Sequence, residues 1–372
     1  MHILMSMANN ETSPYFSRFA RVFDCNDIQL DFLMLCKNPP TLAKDIEGSK
    51  SNVFWIPFSQ SFKVWSYLVA ILKGVLLLLK ERPDILHVHL FDDAIPLLIA
   101  AKLTGVKSVI TKLDAGFHVN HKPSFVRFDK WNNNLADHLV CVSQENKELV
   151  LKYEGVQESK ISLVHQGFPI DEVIGSSQAI REELKKKFQL REELVLLSVG
   201  RFIPLKGYST IIEALHMLKK EHDSALRAIF VGYGDHQSEY ESLVKEKGLE
   251  DVVHFSGWIN REELNNLYAL CDIFVHGATV EPFGFVIAEA MANRIPVVST
   301  NVGAARDAIE HGKSGFLSAP GSAEDMKNKI LKAIKSDRKT IGENAYSTVE
   351  RLFTIESMWT GHMNVYKKLL GE

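Results

Sequence analysis

Short apolar runs recur along the chain, each followed by a stretch with helical spacing. In the first half HILMSMA (2–8), IQLDFLMLC (28–36), NVFWIPF (52–58), PDILHVHLFDD (83–93), KSVITKL (107–113), DHLVCVS (137–143) and KISLVHQGF (160–168) read as strands. Runs that are apolar throughout suit a parallel sheet covered on both faces. Helices are expected at 15–23, 62–81, 94–104 and 146–153, with Ser143 capping the last. The pattern then restarts. ELVLLSVG (193–200), ALRAIFVGYG (225–234), VVHFSGW (252–258), DIFVHGA (272–278), IPVVST (295–300) and GFLSA (315–319) supply a second set of strands with helices between. Repeated strand–helix units predict α/β architecture with doubly wound parallel sheets. A Gly-, Pro- and Ser-containing stretch, 167–178, looks like the link between two halves of similar size. The expected domains are 1–167 and 168–352, with a last helix at 355–370 returning to the first domain as part of 353–372.

Segment 62–81, FKVWSYLVAILKGVLLLLKE, is apolar nearly all round. That favours a core helix wedged against the sheet. A membrane-facing patch carrying Lys63, Trp65 and Lys73 is the alternative. The longest apolar stretch within it, 68–79, contains Lys73 and Gly74 and is short for a bilayer span.

Composition narrows the class. The 372 residues suit two domains. Net charge is −3, with +1 over 1–167 and −4 over the remainder, so there is no electrostatic case for nucleic acid. Cys25, Cys36, Cys141 and Cys271 are widely spaced, with no CxxC pair. They fit buried thiols in a reducing cytosol and give no zinc site. The first residues show no basic leader before a long apolar core, so no signal peptide is expected.

The candidate chemistry centres on EPFGFVIAEAMANRIP, Glu281 to Pro296. A buried strand precedes it and another follows. Pro282 and Gly284 mark the start of the helix between them, so a helix N-terminus sits at the carboxyl end of a parallel strand. Free N–H groups and the helix dipole favour an anion there. Glu281 and Glu289 flank that place, and carboxylates beside an anion site suit the hydroxyls of a sugar or ribose. Upstream, VGRFIPLKGY puts Arg201 and Lys206 on a strand-end loop after Gly200. Two such cations can neutralise a departing diphosphate. Each of these residues, alone, would be an ordinary surface charge.

The stretch from Glu281 resembles the E-x7-E signature of the retaining glycosyltransferases of family 4. The resemblance extends over roughly 195–320 and is looser before that. It implies the GT-B fold, two Rossmann-like domains facing across a cleft, the first serving the acceptor and the second a nucleotide-sugar. It implies that Glu289 binds the ribose, and that Glu281 and the loop amides of Pro282, Phe283, Gly284 and Phe285 hold the transferred sugar. Arg201 and Lys206 would stabilise the diphosphate in place of a metal, so no cofactor is expected. VGYGD would set Gly232 and Gly234 below the nucleotide; a lone GxG is no dinucleotide fingerprint. FSGWINREEL would pair its backbone with the base near Ile259, and Trp258 either stacks on the base or sits in the core.

The first domain departs from the family in two places. The loop after the first strand, NNETSPYFSRF, has no Gly. Leu113 stands where many members carry His. Asp114 and His118 are the candidates to take over contacts with sugar or acceptor, with His121 weaker; each has a solvated-loop reading beside it. His87 and His89 share one strand face, and only His89 lies near the strand's carboxyl end. The expected partners are a UDP- or GDP-sugar and a glycan or lipid-linked acceptor, with the protein cytoplasmic or peripheral at the inner membrane face. The alternatives are a non-catalytic nucleotide-sugar sensor and another GT-B enzyme such as an epimerase. A phosphorylase would need a lysine-bound pyridoxal site, for which no lysine stands out.

Overall fold

The computed structural model describes residues 1–11, 13, 16–17, 19–20, 28–114, 118–119, 122–191, 193–221 and 225–372. The expected helix 15–23, Cys25 and His121 lie wholly or largely outside them. The chain forms two compact units, residues 1–164 with 358–372, and residues 165–357.

Unit 1 is built on strands β1 (His2–Ala8), β2 (Gln29–Cys36), β3 (Val53–Pro57), β4 (Ile85–Val88), β5 (Lys107–Lys112), β6 (His138–Cys141) and β7 (Ile161–Leu163). All neighbours are parallel, in the order β3-β2-β1-β4-β5-β6-β7. Helices α1 (Lys63–Glu81) and α2 (Phe91–Thr104) pack together over one face. Their shared core joins Leu4, Leu86, Ala70, Leu78, Leu97 and Ala100. The helix after β6, Gln144–Glu154, is capped by Ser143, whose hydroxyl accepts from the Asn146 N–H. Asn9, just after β1, has φ of +63°, and Asn tolerates that left-handed turn without a Gly.

α1 differs from the expected core helix. It buries only Ser66, Ala70, Gly74 and Leu78. A row of its large apolar side chains points outward, with Trp65 68% and Leu72 63% exposed. A Cβ at Gly74 would stand 3.0 Å from Leu97 and 3.3 Å from Ala100, so small inward residues bring α1 close to α2. With the preceding turn the helical segment covers 60–81, long and apolar enough by length and composition to cross a membrane.

Unit 2 holds β8 (Leu194–Val199), β9 (Leu226–Val231), β10 (Val253–Gly257), β11 (Ile273–His276), β12 (Val297–Thr300) and β13 (Phe316–Ser318). Their order is β10-β9-β8-β11-β12-β13, again parallel throughout. Helices α3 (Tyr208–Glu221), α4 (Arg261–Tyr268) and α5 (Phe285–Ala292) belong to this unit. The chain reverses its direction of winding between β8 and β11, and ligands of open α/β sheets bind beyond the strand ends at such a point. The last helix, α6 (Ile355–Leu370), lies in unit 1 from Met358 onward.

Candidate active site

The loops leaving β8 and β11 are locked together by backbone contact. Gly207 has φ of +65°, and a Cβ there would stand 1.8 Å from the Gly277 carbonyl oxygen. The Thr279 N–H donates to the Leu205 carbonyl at 2.9 Å. The β9 end closes in from the other side: a Cβ on Gly232 would come within 1.9 Å of the Gly200 oxygen. Gly234 likewise abuts Phe202. Their place in the sequence pattern thus has a packing reason, since no larger residue fits where three strand-end turns converge.

This convergence brings Lys206 against Glu281. The ammonium donates to the Glu281 Oε2, and the carboxylate is buried while the lysine is partly exposed. His276, the last residue of β11, sets its Nε2 3.4 Å from the same oxygen. Burial pushes the Glu281 carboxyl up, but His276 and the Lys206 ammonium outweigh it and hold the pKa down to about 2. Glu281 is therefore a permanent carboxylate at neutral pH. Arg201 is exposed one residue after Gly200 and makes no ion pair among the described residues.

α5 begins later than expected. Gly284 is its N-cap, with φ of +94°, and Phe285 is its first residue. Pro282 stands two residues before the cap rather than in the first turn. A Cβ at Gly284 would press to 3.0 Å on the Glu281 side chain, so the glycine both turns the chain and clears room for the carboxylate. Phe283 is buried, with its ring 5.0 Å from that of Phe285 and 5.1 Å from that of Phe353. Phe285 is 39% exposed.

Glu289 is neither a solvated helix residue nor a free one. It is buried, with Oε1 2.8 Å from an Arg261 guanidinium nitrogen and Oε2 accepting from the Tyr268 hydroxyl at 3.1 Å. A carboxylate has lone pairs left for a further donor after these two bonds. Trp258, after β10, is 71% exposed, which excludes the core reading; Ile259 beside it is buried. His276, Arg261 and Tyr268 escaped the sequence reading. A histidine closing an otherwise apolar strand, one turn before Glu281, was the available signal.

In unit 1 the candidates are already partnered. His118 Nδ1 lies 2.7 Å from Asp129 Oδ2, with its ring edge-on to Phe91 at 4.7 Å. The Asp114 carbonyl accepts from the Asn146 side chain, and Ala115 and Gly116 lie outside the described residues. A cavity of about 120 Å³ at the ends of β4 and β5 is lined by His89, Lys112, Leu113, Asp114, Asp129 and Asn132 among others. Lys112 was not foreseen. It is buried, 2.8 Å from Glu154 and 3.6 Å from Asp129. Burial lowers its pKa, but Glu154, Asp129 and Asp114 outweigh that and raise it.

Known proteins resemble this chain. Residues 180–348 match the family described as Glycosyl transferases group 1, and residues 26–172 match Glycosyltransferase Family 4. The chain belongs to glycosyltransferase family 4. Among its relatives, mannosylfructose-phosphate synthase of Agrobacterium fabrum is 28% identical over 236 residues, 61% of this chain. The match spans about half of that relative, 51% of its length. The capsular polysaccharide biosynthesis glycosyltransferase CapM of Staphylococcus aureus is 25% identical over 331 residues, 85% of each chain. The Anabaena protein HepE, solved in complex with UDP, superposes with a TM-score of 0.81 at 22% identity, covering all of both chains. The family-4 chain thus has the GT-B fold.

Proposed function

We propose that this chain is a glycosyltransferase that moves a sugar from a nucleotide-sugar to a glycan or lipid-linked glycan acceptor, retaining the anomeric configuration. The observation that carries the reading is the Lys206–Glu281 pair beside His276 at the winding reversal of unit 2. Such a pair holds an ammonium in place before substrate arrives, and preorganised charge is what a departing diphosphate requires. Arg201 and the α5 N-terminus add positive potential at the same strand ends, in place of a metal ion.

Glu281 acts in this reading as the anchor of Lys206 and as an acceptor for sugar hydroxyls. Glu289, fixed by Arg261 and Tyr268, accepts from the ribose hydroxyls, and exposed Trp258 offers an aromatic face to the base. In unit 1, Asp114 and His118 bind acceptor or sugar hydroxyls near the polar cavity. The UDP bound to HepE and the capsular role in CapM's name favour a UDP-sugar donor and a glycan acceptor.

The test is a panel of UDP- and GDP-sugars, read first by thermal shift and then by transfer to glycan acceptors with and without EDTA. Binding stabilises by mass action, so a matching donor raises the melting temperature. Proton NMR of the product reads the anomeric outcome. Transfer that survives EDTA and yields a retained linkage supports the proposal. Binding with neither transfer nor donor hydrolysis favours the sensor instead.

A further inference from the structure

The outward face of α1 finds no partner in unit 1. Trp65, Leu68, Leu72, Leu76 and Leu79 follow at steps of three and four, which aligns them in one stripe along the helix. They are 55–68% exposed, and Phe62 just before the helix is 72% exposed. The stripe runs for roughly 20 Å at the helical rise. Scattered exposed leucines need no explanation, but a continuous row of them on one helix does.

The charges on the helix are arranged by face. Lys63 turns away from the stripe and pairs with Asp92 at 2.6 Å, so it takes no part in it. Lys73 and Lys80 are exposed, and Lys73 makes no ion pair among the described residues. Glu81, the one acid of α1, is only 23% exposed and pairs with Lys80 at 2.8 Å. With Lys80 neutralised by Glu81, the unpaired charge beside the stripe is that of Lys73, and Arg82 follows the helix exposed.

We propose that α1 lies flat on an anionic lipid surface, its stripe immersed to the headgroup–acyl boundary and Lys73 reaching back to lipid phosphates. Long amines flanking apolar side chains take up that position. Crossing the membrane is a poorer fit to the same residues. Ser66 Oγ is bonded to both the N–H and the carbonyl of Ser59, and Gly74 and Leu78 are packed inside unit 1. Pulling the helix out would open that core. Self-association is also disfavoured. A two-fold antiparallel pairing about the stripe's midpoint at Leu72 sets each Lys73 beside its own copy. The inference goes beyond the transfer reaction and does not depend on it.

The experiment is co-sedimentation of the full chain with phosphatidylcholine vesicles, with and without phosphatidylglycerol. Wild type should pellet with the anionic vesicles, more at low salt than at high. The combined Leu68→Ser, Leu72→Ser and Leu76→Ser variant should lose at least about tenfold in partitioning, since each leucine gives up transfer into the apolar boundary. Lys73→Glu should weaken binding to anionic vesicles and leave neutral ones unaffected. A thermal melt checks that the serine variant folds; if it does not, Lys73→Glu and the salt dependence decide. Nucleotide binding measured alongside should stay at the wild-type level in the serine variant, which separates this inference from the transfer reading. Equal pelleting of wild type and folded serine variant overturns the proposal. So does a wild-type dimer on gel filtration that the serine variant loses, which would make the stripe a protein interface.

Discussion

Lys206 and Glu281 stand 75 positions apart and meet as an ion pair at the strand ends of unit 2. The carboxylate is the more buried partner, so the pair is asymmetric. Removing the lysine strands a charge, whereas removing the acid frees a cation that still reaches water.

Lys206→Met should therefore destabilise unit 2 by on the order of 2–3 kcal/mol, more than Glu281→Gln does. Turnover should fall on the order of 100-fold or more for Lys206→Met, with donor affinity changed far less. Chemical denaturation and steady-state transfer check both parts. Near-normal turnover would remove the lysine from the diphosphate.

Glu281 also sets an acid limit. Its folded pKa of about 2 lies below the ordinary 4.5. The stability it contributes is complete above 4.5 and lost as pH falls from there toward 2. Glu281→Gln should flatten the stability profile in that window, as read by melting at successive pH values.

Glu289→Ala should weaken binding of the bare nucleotide and also lower stability by about 1–3 kcal/mol, because Arg261 and the Tyr268 hydroxyl lose their acceptor. Glu289→Ala and Tyr268→Phe together should cost less than the sum of their separate effects. Isothermal titration with UDP and GDP, beside denaturation, separates the two losses. Unchanged nucleotide affinity would leave Glu289 a purely structural residue.

Unit 1 carries its own acid sensitivity. His87, His89 and His362 are buried together, with ring centroids 4.2 Å apart for His87 and His89 and 5.1 Å for His87 and His362. Burial lowers all three, His89 to about 4 and His362 to about 3. They must be neutral to fold, so their contribution is complete above the ordinary 6.5 and lost as pH falls below it. Asp93, raised by burial to about 7, opposes this in the same range. His362→Phe removes one histidine from the balance. Below pH 6.5 it should reduce the slope of stability against pH by up to about 1.4 kcal/mol per unit.

Asp114→Asn should cut transfer strongly with nucleotide affinity intact, and His118→Ala should do so less. Transfer kinetics beside nucleotide titration checks both. Full transfer in both variants would reduce this loop to a connection.

Much of this was legible in the chain. Apolar runs such as IFVH and VVST become fully buried parallel strands, and the glycines beside Arg201 and Lys206 mark where strand ends touch. What sequence could not give was orientation. In α1 every face is apolar enough to be buried, and only the tight fit of Gly74 against Leu97 shows that the small side faces inward. The sequence marks Glu289 as a ribose ligand but does not show that it is buried. Its burial depends on Arg261 and Tyr268, more than twenty positions away. Pro282 suggested a helix start, but Gly284 with its left-handed turn delayed it.

The return of α6 to unit 1 bears on the order of events during synthesis. His87 Nδ1 bonds the Tyr366 hydroxyl at 2.6 Å across 279 positions, and Trp359 meets the ring of Phe19 at 5.9 Å. All of unit 2 is translated between the two ends of those contacts. As the chain emerges from its N-terminus, unit 2 has its complete set of strands while unit 1 still exposes the side that α6 covers. Loop closure over so long a separation is slow. The histidine cluster can thus be sealed only after every strand of unit 2 has been made.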